Sequence, residues 1–207
     1  MKNIRHRAAS ALILLPLMLG ACGYNTIQSY DERAGRAKQE IEVQLQRRAD
    51  LIPNLVATVK GYAKQESQIF VEVARAQAVL TGALGRTGGS NPGELAEANE
   101  GLSRALTPFF TFAQAYPQLK SDQQFLRLQD ELSGTENRIA VSRSDYNGTV
   151  EQYNGYIRRF PAALTAKATG AKPREYFRVA NAADMNAPKV DFGGDAAPGG
   201  AAPAARP

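Results

Sequence analysis

The chain has 207 residues, of which 43% are apolar and 22% are charged. This composition is typical of a globular protein and excludes a chain that is disordered throughout. The sequence contains one Cys, one His and no Trp, so it cannot form a zinc finger, an internal disulfide or an ordinary His-ligated metal site.

The amino-terminal segment has the pattern of a secretory signal. Lys2, Arg5 and Arg7 precede an apolar run of fourteen residues, 8–21, which is short for a permanent transmembrane helix. The run ends in Leu19-Gly20-Ala21-Cys22, which resembles the box that directs acylation of bacterial lipoproteins.

We therefore predict a signal peptide at residues 1–21 and a lipidated amino terminus at residues 22–25, with Cys22 acylated. A cleaved signal without lipidation and an uncleaved anchor are the alternatives. Gly23 follows the cysteine, where Asp would resemble an inner-membrane retention signal, so the analogy favours a periplasm-facing lipoprotein of the outer membrane. Three acyl chains would exceed the two-chain threshold for stable anchoring.

Removal of residues 1–21 changes the charge and the available chemistry. It takes away His6 and three basic residues, which leaves 22 basic residues against 20 acidic ones. This small excess does not indicate a nucleic-acid-binding protein. The mature chain also lacks the imidazole that Ser-His, Cys-His and His-metal mechanisms need.

A helical apolar period begins at Ile41 and keeps its phase for more than forty residues. Because the phase is the same on both sides of Pro53, we expect a kink in one helix in preference to a turn between two. An unbroken helix from Thr26 to Ala83 would be ~87 Å long. The apolar positions are Ile41, Leu45, Ala49, Ile52, Val56, Val59, Ala63, Phe70, Val73, Ala74, Leu80 and Leu84.

The Gly-rich stretch from Gly82 to Gly93 predicts a connector. Asn91 is the expected N-cap of the next helix, with Pro92 in its first position. A bend or a short terminal piece is expected at Pro108. The apolar positions of this second helix are Leu95, Leu102, Leu106, Phe109, Ala113 and Tyr116.

Ser121 and Gln124 form a capping-box pattern at the start of the most regular helix. Its seam repeats every seven residues and predicts a helix from Asp122 to Phe160. A short helix up to Lys167 and an aperiodic segment, 170–192, are expected to lie along the bundle. Residues 193–207 include thirteen Gly, Ala or Pro and are predicted to be disordered. The seam consists of Phe125, Leu132, Ile139, Tyr146, Tyr153 and Phe160.

Each predicted helix has one apolar face, so the helices must pack on one another. We predict an all-α fold over residues 26–192, an elongated antiparallel bundle of three long helices, or of four if Pro53 breaks the first. No spacing of acidic residues singles out a catalytic pair, and a di-metal bundle needs inward-facing His residues. We therefore predict no enzymatic activity, no cofactor and no bound metal.

Two charged groups are the polar candidates in this fold. The first, Arg47, Arg48 and Asp50 beside Pro53, is the predicted contact for a protein partner. The second is Glu136, Arg138 and Arg143, whose members are expected to pair with neighbours or with Arg47 and Arg48 across helices and so fix the helix register.

Three tyrosines of the last long helix, Tyr146, Tyr153 and Tyr156, lie at or beside seam positions. At this spacing they are expected to be core residues with the hydroxyl at the edge of the core. A tyrosine-lined groove between helices is the alternative.

Several longer motifs resemble the LemA family. They comprise Gln44-Leu45-Gln46-Arg47-Arg48-Ala49-Asp50-Leu51-Ile52-Pro53-Asn54-Leu55-Val56, Thr58-Val59-Lys60-Gly61-Tyr62-Ala63 with Glu66, Tyr116-Pro117-x-Leu119-Lys120, Leu128-Gln129-x-Glu131-Leu132, Thr135-Glu136-Asn137-Arg138-Ile139-Ala140, Tyr146-Asn147, Tyr153-Asn154, Phe160-Pro161, Tyr176-Phe177 and Pro188-Lys189-Val190-Asp191-Phe192. The resemblance covers about residues 24–192 and implies an extracytoplasmic helical bundle held at the membrane by its amino end. It implies no catalytic residue or cofactor. The lipoprotein box departs from the family pattern, which usually has an amino-terminal transmembrane helix.

These observations lead to one expected function and two alternatives. The expected function is a non-catalytic, membrane-anchored scaffold or adaptor that binds a protein of the bacterial cell envelope. The first alternative is a binder of a small molecule or lipid in an inter-helix cavity. The second is a cell-envelope hydrolase that uses a carboxylate pair.

Overall fold

The computed structural model describes the backbone of residues 2–62, 67–86 and 91–178, and the side chains from Gly23 onward within these ranges except that of Ser67. The described residues form six helices and no strand, which confirms the all-α prediction. The helices are α1 (Lys2–Tyr62), α2 (Ser67–Leu84), α3 (Pro92–Ala113), α4 (Pro117–Lys120), α5 (Gln123–Tyr156) and α6 (Ala162–Thr169).

The predicted signal peptide, the acylated Cys22 and the disordered tail all fall on parts of the chain whose side chains or backbone lie outside this description, and they stay predictions. Within the described ranges, we find no helix with a stretch long and apolar enough to cross a bilayer.

Helices α1, α2 and α3 alternate in direction. The ammonium group of Lys60 near the end of α1 lies over the ring of Phe70 near the start of α2, and Gln77 farther along α2 donates to the carbonyl of Ala49. Helix α2 therefore runs antiparallel to α1. Helix α3 turns back again, so that Phe70 meets Phe109 edge to face at 6.0 Å between ring centroids.

Helix α5 completes an up-down-up-down bundle. It runs antiparallel to α1, because the Tyr62 hydroxyl donates to Asp122 at 2.8 Å at one end while Tyr30 packs on Tyr156 at the other. The four helices enclose one apolar core. Its fully buried members include Ile41, Leu45, Ile52, Leu55, Val59, Leu80, Leu95, Leu102, Phe109, Leu119 and Tyr146.

Helices α1 and α5 extend past α2 and α3 to what we call the proximal end, residues 23–31 and 153–174. Here α6 packs across α1, and a smaller core contains Ile27, Tyr153, Ile157 and Ala166. Gly23 allows this close approach, because a Cβ atom there would lie 3.1 Å from the hydroxyl oxygen of Thr165. The opposite end, around Tyr62 and Asp122, is the distal end.

The first helix differs from the prediction in where it stops. Helix α1 continues through Pro53 and ends at Tyr62, so a single helix as far as Ala83 is wrong, and so is a break at Pro53. The apolar pattern does not reveal that α1 and α2 are separate helices, because Val59 of α1 and Phe70 of α2 are eleven residues apart, about three helical turns. The exposed Ala74 is the one described member of the pattern that lies on the outer face.

The last long helix differs from the prediction at both ends. Its N-cap is Asp122, which accepts a hydrogen bond from the backbone N–H of Phe125 at 2.9 Å, so the capping box at Ser121 is wrong. The Ser121 hydroxyl, just after α4, instead donates to the carbonyl of Gln118 within α4. The helix stops at Tyr156, and Phe160, expected in the seam, is 83% exposed.

The predicted start of α3 and the predicted short helix near residue 167 are confirmed. Asn91 caps α3 by accepting from the backbone N–H of Gly93 at 2.7 Å, and Pro92 is the first helical residue. At Pro108 the expected short terminal piece is wrong, because α3 continues through this residue as far as Ala113, and the expected bend stays a prediction. The expected short helix is α6, and the described part of the segment after it lies along the bundle; residues 179–192 lie outside the description.

The N-cap of α5 predicts a pH dependence. Hydrogen bonds from the Phe125 backbone and from Tyr62 hold the pKa of Asp122 below its ordinary value of 3.8. A carboxyl whose pKa is lowered by folding stabilises the protein above its unfolded pKa and loses this contribution as the pH falls through the folded pKa. In Asp122→Asn the cap keeps an oxygen acceptor but no longer titrates.

We expect the free energy of unfolding of the wild type to fall relative to that of Asp122→Asn as the pH is lowered from about 5 to about 2.5. Urea unfolding of both proteins across this range measures the difference. If the difference in free energy of unfolding between the two proteins does not change with pH, the negative charge of Asp122 does not stabilise the fold.

Candidate functional site

The charged group predicted to contact a partner is divided between the surface and the core. Arg47 and Asp50 are exposed, whereas Arg48 is 5% exposed on the inner face of α1. Successive residues of a helix point about 100° apart, so neighbours in sequence reach different surroundings. The contact prediction therefore stays open for Arg47 and Asp50, while the burial of Arg48 removes it from any surface patch.

Arg48 joins three helices. Its Nη1 atom lies 2.5 Å from Asn99 Oδ1 on α3 and 2.5 Å from Glu136 Oε2 on α5. Its Nη2 atom donates to Ser103 Oγ at 3.1 Å. The pairing predicted for Glu136 with Arg48 across helices is confirmed. We call Arg48, Asn99, Ser103 and Glu136 the arginine cluster.

The arginine cluster is not arranged for maximum stability. Burial lowers the pKa of Arg48, while the carboxylates of Glu136 and Glu100 oppose this shift. The Nε–H group of Arg48 is buried with no acceptor among the described residues. A buried charge with an unmet donor adds little net stability. We infer that the cluster mainly fixes how α1, α3 and α5 align.

A groove of about 400 Å³ opens beside the arginine cluster, between α3 and α5. It combines the polar groups of the cluster with apolar side chains such as Phe110 and Leu132. Its carboxylate, that of Glu136, is already engaged by Arg48. Across the part of the chain that the structure describes, no group of three or more His, Cys, Asp or Glu residues is placed to hold a metal ion.

A second polar arrangement holds the segment 171–178 against α5. The Asn154 side chain donates to the Arg174 carbonyl at 2.9 Å and accepts from the Arg174 backbone N–H at 2.8 Å. One heptad earlier, Asn147 makes the same pair of bonds with Phe177, at 3.3 and 2.8 Å. The two side-chain amides thus make the hydrogen bonds with the backbone of this segment that a neighbouring β-strand would make. We call Asn147 and Asn154 the asparagine clasp.

The clasped segment also reaches α1 and the core. Arg174 donates from Nε and Nη2 to the two carboxylate oxygens of Asp31 at 2.7 and 2.9 Å, and these bonds raise the pKa of Arg174. Tyr146 donates to the Glu175 carbonyl at 2.8 Å, and the ring of Phe177 is buried in the main core. The segment therefore ties α1 to α5 near the proximal end.

The tyrosines of α5 occupy core positions, as expected. Tyr146 and Tyr153 are buried, and burial raises the pKa of both hydroxyls. Tyr156 is half-buried and packs on Tyr30, with ring centroids 5.4 Å apart. Tyr153 borders a surface cleft of about 680 Å³, beside Arg174.

Several residues of these arrangements escaped the sequence analysis. Asn99 lies four residues after Leu95, so it falls on the apolar face of α3, where a polar residue needs a partner. The sequence also contains a pattern that indicates the asparagine clasp, because the pair Tyr-Asn occurs twice at a spacing of seven residues. Arg138 and Arg143 were predicted to fix the register but are exposed.

The chain belongs to the LemA family, whose pattern matches residues 37–192. It is similar to Magnetosome protein MamQ 2 of Paramagnetospirillum magneticum, with 30% identity over 181 residues, 78% of this chain and 66% of that protein. Magnetosome protein MamQ 1 of the same organism gives the same values, and Magnetosome protein MamQ of Magnetospirillum gryphiswaldense is 29% identical over 181 residues. The chain thus spans just under two thirds of the length of these relatives, at 66%.

The arginine cluster predicts a contrast between neighbouring residues. Arg48→Met leaves Asn99 and Glu136 without their partner, and we expect it to lower the free energy of unfolding by about 2–3 kcal/mol, less than for a fully buried pair because Glu136 is half exposed. Arg47→Met, the control, changes an exposed residue and should stay within about 0.5 kcal/mol of the wild type. Urea unfolding at neutral pH compares them, and equal effects would contradict a structural role for Arg48.

The asparagine clasp predicts local protection from hydrogen exchange. In Asn154→Ala the Arg174 backbone loses both partners, so we expect exchange of the 174–177 amides to accelerate at least tenfold, equivalent to about 1.4 kcal/mol or more. Gln152→Ala changes an exposed residue of the same helix and serves as the control. Unchanged protection of this segment in Asn154→Ala would mean that the clasp does not hold it.

Proposed function

We propose that the protein is a non-catalytic scaffold, anchored by an acylated Cys22 on the periplasmic side of the outer membrane, which binds an envelope protein on its helical bundle. The observation that carries this proposal is the continuity of α1. It is one helix from Lys2 to Tyr62, and its buried face begins at Ile27, five residues after Cys22.

The continuity of α1 means that no flexible linker separates the anchor from the bundle. The forty residues from Gly23 to Tyr62 span ~60 Å at 1.5 Å per residue. A bundle fixed to such a helix presents its outer faces at set distances from the membrane. This geometry suits a protein that positions a partner better than one that searches for a soluble substrate.

The non-catalytic part of the proposal rests on what the polar groups inside the fold are doing. Glu136, the carboxylate nearest the groove, pairs with Arg48, and the buried amides of Asn99 and Asn154 bind Arg48 and the segment backbone. These groups stabilise contacts between elements of the fold. The exposed residues Arg47 and Asp50 are the proposed contact with the partner.

The anchor is tested by labelling growing cells with a fatty acid that carries an alkyne tag. We expect the wild type to be labelled and to fractionate with the outer membrane, whereas Cys22→Ser is unlabelled because it lacks the thiol that is acylated. Detection of the tag on the purified proteins decides the outcome. Label on Cys22→Ser, or none on the wild type, would contradict acylation at this residue.

The partner is tested by in-cell crosslinking with mass spectrometry. We expect a discrete envelope protein to be crosslinked to the wild type. This crosslink should be lost in Arg47→Glu/Asp50→Lys. The matched control is Arg127→Glu/Asp130→Lys, which reverses two exposed charges of α5. A partner kept by both variants would rule out the proposed contact, and crosslinks that are equally frequent without the Cys22 thiol would rule out a role for the anchor.

A binder of a small molecule or lipid is the second candidate, and the cleft beside Arg174 favours it. This cleft measures about 680 Å³ and places Tyr153 and Lys172 near the Arg174 side chain. A ligand that co-purifies in native mass spectrometry, and is lost in Tyr153→Ala, would support it over the scaffold. A hydrolase with a carboxylate pair has less support, because Glu136 is committed to Arg48.

A further inference from the structure

Two large apolar side chains at the proximal end point into solvent. Phe160 is 83% exposed and Leu164 is 64% exposed. Phe160 lies in the turn that precedes α6, and Leu164 lies in the first turn of α6. The opposite side of α6 carries Ala162 and Ala166, which are buried. The outer face of α6, together with the turn before it, therefore exposes two large apolar side chains that no described residue covers.

The same region carries a net positive charge, because its one carboxylate, that of Asp31, pairs with Arg174. Residues 152–173 include four basic residues and no acidic one, and all four are exposed. Residues 22–30 of α1, which pack beside this region, carry no charged residue. The four basic residues are Arg158, Arg159, Lys167 and Lys172.

This surface lies beside the point where the chain enters its anchor. Gly23, the residue after Cys22, lies close to Thr165 in the middle of α6, and Ile27, one turn later, shares the smaller core with Ala166. Two contacts on successive turns of α1 hold α6 at the level of the attachment site. Whatever surface Cys22 is attached to thus lies close to the outer face of α6.

We propose that Phe160 and Leu164, with Arg158, Arg159, Lys167 and Lys172, form a membrane face that inserts its apolar side chains between the headgroups of an anionic bilayer. Apolar side chains flanked by basic ones are typical of surfaces that lie in the membrane interface. Each basic residue near an anionic surface adds attraction, and long basic side chains extend from an apolar face toward headgroups. The charge pattern favours lipid over a second, equally basic copy of this face. The inference rests on the proposed function only in placing the amino end at a membrane.

The absence of Trp from the chain allows a direct test. Phe160→Trp places one fluorophore on the membrane face, and Val79→Trp, at a position 62% exposed on α2, is the matched control. The acylated full-length proteins are reconstituted into phosphatidylethanolamine vesicles with 30% phosphatidylglycerol, a composition chosen for the assay, with and without brominated acyl chains. Flotation of the vesicles reports attachment separately.

We expect both proteins to float with the vesicles. Emission of Phe160→Trp should shift to shorter wavelength and be quenched by brominated lipid at least threefold more than that of Val79→Trp. Charge reversal in Phe160→Trp/Arg158→Glu/Arg159→Glu should abolish most of this quenching, whereas the control pair Arg75→Glu/Arg127→Glu in the same background should not.

Each other outcome overturns the proposal in a distinct way. Flotation without quenching at residue 160 leaves the anchor intact and refutes the membrane face. A failure of both flotation and quenching refutes the anchor and the face together. A blue shift that appears without vesicles and grows with protein concentration assigns the face to a second copy of the chain.

Discussion

Helix α1 packs against all five of the other helices, and the rest of the structure depends on this one helix. Its distal half supplies a wall of the four-helix core, through residues such as Ile52 and Leu55, and its proximal half carries Ile27 in the smaller core. The same helix begins in the apolar amino-terminal segment. Because burial of apolar surface dominates folding, the contacts that stabilise the bundle also set its geometry relative to the amino end.

Apolar packing alone would leave the register of α1 against α5 weakly defined. The α5 seam repeats every seven residues, so a slip of one heptad, about 10 Å, would again place apolar residues opposite one another. Such a slip would separate Arg48 from Glu136 and Arg174 from Asp31. The two ion pairs lie at different levels of the bundle, which explains why buried or half-buried charges are present in a fold that apolar residues stabilise.

The sequence was informative wherever one local pattern determines a structure. The heptad seam of α5 located Leu132, Ile139 and Tyr146 in the core, and Asn91-Pro92 located the start of α3. Prediction from the sequence failed where tertiary contacts decide between structures that the local pattern fits equally well. The end of α1 is an example, because the apolar pattern continues with the same phase from α1 into α2. The asparagine clasp joins residues twenty to thirty positions apart, and Asp31 meets Arg174 across 143 positions, so neither contact follows from periodicity.

We propose that an anchor at Cys22 and the bundle form one rigid unit. Neutron reflectometry of the acylated protein on a supported bilayer measures how far the protein extends from the membrane. A rigid unit that stands on its proximal end predicts a protein layer of about 60 Å, the length of α1 beyond Cys22. A layer of only about 20–25 Å, the width of two helices, would mean that the bundle lies flat, and would contradict this account.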